Sequence, residues 1–393
     1  MEFLQDTIEP LEEQEKTDQI WVPIKERKSY DFMKVPGGRW SNGLIRAIGA
    51  HDIAIIGEEN AVIDGMDCYD AWGEERYRGP HAISFHQCEN IQLSGYTVRN
   101  SANWAHAMFS CKSIKISHVT VLAGHDGVHL TTCDHTKITE CSFFTGDDCV
   151  AGIDNIDLAV SDCEMNTACS AFRLGGTDIH IQRCRMFGPA RYLFRGSLSR
   201  EEKAECAPSR VRQEAESAGK YRYNMLSAYT YYADFSREIR KQPGNIVLED
   251  CVIEHVDRLL HYNFSGNEPW QNNRPLKDIA FRRILAGDVK RPLVAYGDKE
   301  EKLFLEMTDC DVRFREDAGI DSFMQVCNYE KITLQGVTIT NLKDSPCLLT
   351  WSDGEICLDK VEADGQSFLD GAKAKDDDRI MKKAERPFVC KSI

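Results

Sequence analysis

The 393-residue sequence contains no run of about 18 apolar residues, so no segment reads as a membrane-spanning helix. It has no basic block either: 48 Lys and Arg face 63 Asp and Glu, for a formal charge of −15. Neither a nucleic acid nor an anionic membrane surface is therefore an expected partner. Met1 to Thr17 is acidic and lacks the basic start and apolar centre of a signal peptide, which predicts a cytoplasmic protein. No Cys-x-x-Cys pair and no Cys/His spacing of the structural-zinc kind occurs, and neither a metal nor another cofactor is expected. Cysteine itself is not scarce, with 16 in the chain. Disulfide scaffolds are far shorter than this, and a chain of this length with 42% hydrophobic residues can pack a core without staples.

The positions of the cysteines explain their number. The segment Cys88-Glu-Asn-Ile-Gln-Leu93 recurs as Cys111-Lys-Ser-Ile-Lys-Ile116 and again as Cys133-Asp-His-Thr-Lys-Ile138. The apolar position continues at Val160 and Ile181, and a second cysteine column follows it at Cys141, Cys163, Cys184 and Cys251, with Val337 and Val361 in the same slot later. The step between successive copies is about 22 residues, and a period in that range is the signature of a solenoid. Within each unit apolar residues alternate, as in Ile114/Ile116 and Ile246/Leu248, which is the period of a strand and not of a helix. The prediction is an all-β fold, a single-stranded parallel β-helix whose stacked coils place reduced cysteines in inward-facing columns.

The expected boundaries follow from where the repeat stops. Residues 1–45 read as a cap on the N-terminal end, 46–365 as the β-helix, and 366–393 as a solvated tail carrying Asp376 to Asp378. Segment 188–243 interrupts the coils, and Ile181 and Leu248 stand as far apart in the chain as three coils would place them. The part from 199 to 241, rich in Glu, Lys, Arg and Ala and then in Tyr, reads as a helical insertion, with one coil around Tyr192 to Arg195.

The coil period turns spacing into proximity. Asp126 precedes Asp148 by one period, just as Cys111 precedes Cys133, so the two should stack on neighbouring coils with Asp147 alongside. Crowded carboxylates repel one another and keep a proton on one of them, the arrangement a glycosidase uses to pair an acid with a base. The same spacing also fits a calcium site or turn chemistry, since Asp and Gly are frequent at β-helix corners.

Asn100-Ser-Ala-Asn-Trp104, the Asp126-Gly127 step, Thr-Gly-Asp147-Asp148-Cys149-Val-Ala, Ile63-Asp-Gly65 and Arg78-Gly-Pro-His81 together resemble glycoside hydrolase family 28, the polygalacturonases and their relatives. The resemblance implies a right-handed β-helix and inverting hydrolysis, with Asp147 as general acid and Asp126 and Asp148 activating water. Two family motifs are missing. Where the family carries Gly-His-Gly the chain has Ala168-Cys169-Ser170, and where it carries Arg-Ile-Lys the chain runs Arg200-Glu-Glu-Lys203.

Further residues are expected around this trio. Arg173, slightly more than one period after Asp148, suits a carboxylate or sugar hydroxyls; Trp104 and His106 would form a sugar-stacking floor; His125 would line the cleft. Cys169 takes the place of the family histidine, and the insertion's tyrosines, Tyr232 among them, with Arg191 and Arg195 would wall one end of the groove, which favours exo action on oligosaccharides. His129 falls on the parity read as inward, a core histidine. The rival readings are a lyase or epimerase on the same scaffold and a non-catalytic carbohydrate-binding β-helix.

Overall fold

A computed structural model describes residues 42–68, 78–192, 225–233, 238–265, 268, 270–271, 274–368 and 377–384. These residues form strands joined by turns, with no helix among them. Each coil contributes one short strand to each of three parallel sheets. Sheet 1 runs from Gly43–Ile48 through His81–His86, His106–Phe109 and Val128–Thr131 to the start of Val150–Ser161 and beyond. Sheet 2 stacks His51–Ile56, Glu89–Ser94, Lys112–Ser117 and Asp134–Thr139. Sheet 3 stacks Val62–Asp64, Thr97–Arg99, Thr120–Ala123 and Ser142–Thr145. Parallel strands joined by crossovers wind right-handed, so the chain is a right-handed parallel β-helix.

Alternation along each strand sends one set of side chains into a continuous core. In sheet 2, Ile91, Ile114 and Thr136 stack on one inward column, and Leu93, Ile116, Ile138, Val160, Ile181 and Leu248 on the next. The cysteines sit at the corners. Cys88, Cys111 and Cys133 form one interior column, and Cys141, Cys163, Cys184 and Cys251 another. All the described cysteines are free thiols. Each corner thiol donates to the carbonyl two positions earlier, as Cys163 Sγ does to Ser161 O at 3.1 Å and Cys141 Sγ to Thr139 O at 3.2 Å. A small side chain with a weak donor therefore both fills the corner and supplements its backbone bonding. Val337 and Val361, in the same slot and fully buried, keep the filling and dispense with the donor.

Two expectations change. Ile181 pairs directly with Leu248, so the long gap between them is a single coil with an excursion inside it. The coil's sheet 1 strand is Met225–Tyr231, within the stretch read as helical; its tyrosines alternate so that Tyr229 and Tyr231 fill the interior. Strand periodicity there outweighs the helix-favouring composition that precedes it. Residues 199–224 and Arg195 lie outside the described residues, as does the expected cap apart from 42–45, and the first strand already begins at Gly43. The tail is not wholly solvated: Met381–Lys383 pairs with Leu348–Thr350 as a further rung of sheet 1, anchored by buried Ile380 and Met381.

The core makes a graded prediction. Phe172→Ala, which empties an interior site, is expected to cost about 3–5 kcal/mol in urea unfolding. Cys163→Val is expected to cost less than about 1.5 kcal/mol, because the same slot already holds valine at 337 and 361. A large loss for the valine variant would contradict the reduced-column account.

Candidate active site

The turn from sheet 3 to sheet 1 carries the acidic residues. Asp126 lies between Thr120–Ala123 and Val128–Thr131, and Asp147 and Asp148 occupy the same turn one coil later, between Ser142–Thr145 and Val150–Ser161. Val128 pairs with Val150, and Gly127 N donates to Asp148 O at 3.0 Å, so Asp126 and Asp148 stand one rung apart. Gly127 permits this approach: a Cβ there would lie 2.5 Å from Cys149 O and 2.6 Å from the Phe143 ring. Thr145 and Thr167 hydroxyls both donate to Asp147 O, which holds the second turn.

Side-chain contacts fix the three carboxylates. Asp148 accepts from Ser170 N at 2.9 Å, and its other oxygen lies 3.7 Å from Arg173 Nη1. Asp147 lies 3.8 Å from Arg78 Nη2, and Asp126 Oδ2 is 2.7 Å from His129 Nδ1. Arg78 reaches the site because Gly79 lets the chain pass so close to Cys68 O that a Cβ would collide with it, and because Asn103 Oδ1 accepts from its guanidinium at 3.2 Å. The Asp126 and Asp148 side chains are 5% and 4% exposed, against 14% for Asp147. Burial first, and then the charge of Asp147, pushes the carboxyls of Asp126 and Asp148 well above the usual carboxylate range, while Arg173 pulls both back and Arg78 opposes the rise at Asp126. Asp126 and Asp148 titrate together and hold protons to higher pH than separate carboxylates would.

Asp147, Asp148 and Cys169 also place donor atoms within 4.8 Å of one another, and among the described residues no other such group of three potential metal ligands is found. Calcium takes six to eight oxygens, whereas this group offers a thiol and two carboxylates that already face guanidinium groups. The donor set does not fit that ion.

The expected substrate-binding residues divide. Arg173 and Cys169 are at the trio. The Arg173 guanidinium lies 4.4 Å from the centre of the Tyr232 ring and 5.9 Å from that of Trp270. Trp104 is there as well, but its neighbours are imidazoles from the coils before and after it: His81 at 5.1 Å and His129 at 3.6 Å, the latter within 2° of parallel. The indole is stacked on imidazoles and is not the open floor expected. His106 is no part of a floor. It shares the inward column of Val128 and Val150, bonds Tyr96 Oη and Gly127 O at 3.0 Å each, and burial lowers its pKa to about 4. His125 is buried at 1% exposure and offers a ligand almost no surface. Arg191 stacks on Phe144 at 4.4 Å, on the outer face of sheet 3.

His129 corrects the parity assignment. Val128 and Leu130 belong to the core, so the residue between them faces outward, beside Asp126. His129, Arg78, Asn103 and Trp270 were not among the expected site residues, whereas Tyr232 is one of the tyrosines expected to wall the groove. Once Val128 and Leu130 are placed inside, alternation alone identifies His129. Arg78 stood within a quoted motif, but the turn that brings it to Asp147 leaves no periodic trace.

The segment that bears this geometry is similar to known proteins. Residues 36–171 match the model of the glycosyl hydrolases family 28. Over that segment the chain is similar to family 28. It is 33% identical over 144 residues to a probable polygalacturonase of Vitis vinifera, covering 33% of this chain and 28% of that protein. It is 30% identical over 168 residues to a probable polygalacturonase of Arabidopsis thaliana, covering 38% of this chain and 36% of that one. The chain thus spans about a third of the length of these curated relatives. The structure of the Yersinia enterocolitica family 28 exopolygalacturonase aligns with a TM-score of 0.44 at 12% identity, over 73% of this chain and 47% of that one. The β-helix assignment rests on strand register and not on that alignment. The match to the family model ends at residue 171, inside the coil that carries Cys169, so Arg173, Tyr232 and Trp270 lie beyond that match.

The raised carboxyls carry a stability prediction. A group whose pKa is raised by the fold lends stability in its protonated form, and that contribution is lost as pH rises through the raised value. Asp148→Asn, which keeps an acceptor for Ser170 N, is therefore expected to melt about 2 °C or more above the parent at pH 7. The gap should close as pH falls toward about 4, the ordinary carboxylate range. An Asn variant that melts lower at pH 7 would mean that the Arg173 pair outweighs burial.

Proposed function

We propose that the protein is a glycoside hydrolase of the inverting kind, acting from the end of an oligosaccharide. The observation that carries the reading is the stacking of Asp126 on Asp148 with Asp147 beside them, each carboxyl facing a guanidinium or an imidazole. Asp147, the carboxyl of the trio that reaches the surface most, gives its proton to the glycosidic oxygen as the bond to the anomeric carbon breaks. Asp126 and Asp148 hold a water and take its proton as its oxygen bonds to that carbon from the opposite side. Arg78 and Arg173 limit the repulsion among the acids without neutralising all three.

Exo action is supported by the wall that Arg173, Tyr232 and Trp270 raise on the C-terminal side of the trio. The relatives' names point to polygalacturonate, and the Arg173 guanidinium suits a uronate carboxylate.

Asp147→Asn removes the proton donor while keeping the shape. It is expected to lower hydrolysis by about 10²–10⁴-fold, read as reducing ends released from an oligogalacturonide or the best substrate of a panel, with an unchanged melting curve. Parental turnover in this variant would sink the assignment of the acid.

A further inference from the structure

His129 is held more firmly than an incidental ion pair requires. It lies in Val128–Thr131 between two core residues, so its ring has to face outward. Its neighbours on that outward column are Ala107 and Ala151, whose small side chains leave room for the imidazole to lie flat. Trp104 supplies the surface it lies on, 3.6 Å away and nearly parallel; the main-chain N–H of Trp104 donates to Asn103 Oδ1 at 3.0 Å, and its indole stacks on His81. Tyr232 meets the ring edge-on at 6.3 Å. With the plane set by the indole, Nδ1 points at Asp126 Oδ2, 2.7 Å away, and both side chains are more than nine-tenths buried.

Resting on the hydrolase reading, we propose that His129 is the positioning residue of Asp126. Its Nδ1–H donates to Oδ2, keeps the carboxylate ionised and aimed, and leaves Oδ1 to take the proton from the attacking water. A carboxylate accepts and does not donate, so the proton of this bond belongs to the ring nitrogen. The donation works against burial and against Asp147, which favour the protonated acid. Arg78 and Arg173 also favour the ionised form of Asp126, and Asp147, Asp148 and Cys169 stand in the same cluster. In a chain with a cysteine at 169, the imidazole that serves the acids comes from the Asp126 coil itself.

Two substitutions separate this role from mere packing. His129→Ala removes the donor, so the base protonates more readily: kcat is expected to fall about 10-fold or more, with the acidic limb of the kcat/KM profile moved to higher pH. His129→Asn places an amide donor near the Nδ1 position and should return that limb toward the parental pH. A limb that stays in place in His129→Ala would overturn the proposal. Imidazole ¹⁵N shifts decide the pairing without any substrate: the parent should hold the Nδ1–H tautomer, and Asp126→Ala should release it toward Nε2–H. An unchanged tautomer would contradict the pairing. Absence of hydrolysis by the parent would instead count against the hydrolase reading and leave this readout intact.

Discussion

The in-register ladder of main-chain hydrogen bonds between coils sets the height of every side chain in the molecule. Neighbouring parallel strands lie about 4.8 Å apart, so residues one period apart in sequence become neighbours in space. Asp126, Asp148 and Ser170 occupy successive rungs for this reason, as do His129, Ala151 and Arg173 on the adjoining strand. The register is enforced from inside. A slip of one residue would turn Val128, Val150 and Phe172 out to solvent and carry His129 and Arg173 into the core.

That rigidity makes the acidic cluster possible. Three carboxylates close together would spread apart on a flexible loop, whereas here each turn is pinned by its own backbone bonds and by the Thr145 and Thr167 hydroxyls. The cost shows as the raised carboxyls of Asp126 and Asp148, and it is offset in part by guanidinium groups that approach from two directions. Arg78 comes from the N-terminal side over Gly79, and Arg173 from the strand one coil beyond Asp148. Destabilisation concentrated where chemistry is expected is a common feature of active sites.

Much of the fold was legible because a solenoid writes its geometry as a period. The evenly spaced cysteine and isoleucine columns revealed the coils, and the same spacing stacked Asp126 on Asp148. What escaped had no period. The gap from Ile181 to Leu248 hid a strand at Met225–Tyr231, because the residues before it have a helix-favouring composition. His106 and His129 exchanged sides, since parity read through a turn carries no anchor until the core residues beside it are known; Val128 and Leu130 supply that anchor. Arg78, bonded to Asn103, meets Asp147 through a turn whose course depends on the space that Gly79 leaves.

The central claim is that the stacked aspartates hydrolyse a glycosidic bond by a single displacement. The most direct test follows the anomeric protons of the product by NMR during the first minutes of incubation with an oligogalacturonide, before mutarotation mixes the anomers. The account predicts that the first-formed product has the anomeric configuration opposite to that of the bond broken. Retention of configuration, or an unsaturated product absorbing in the ultraviolet, would contradict it.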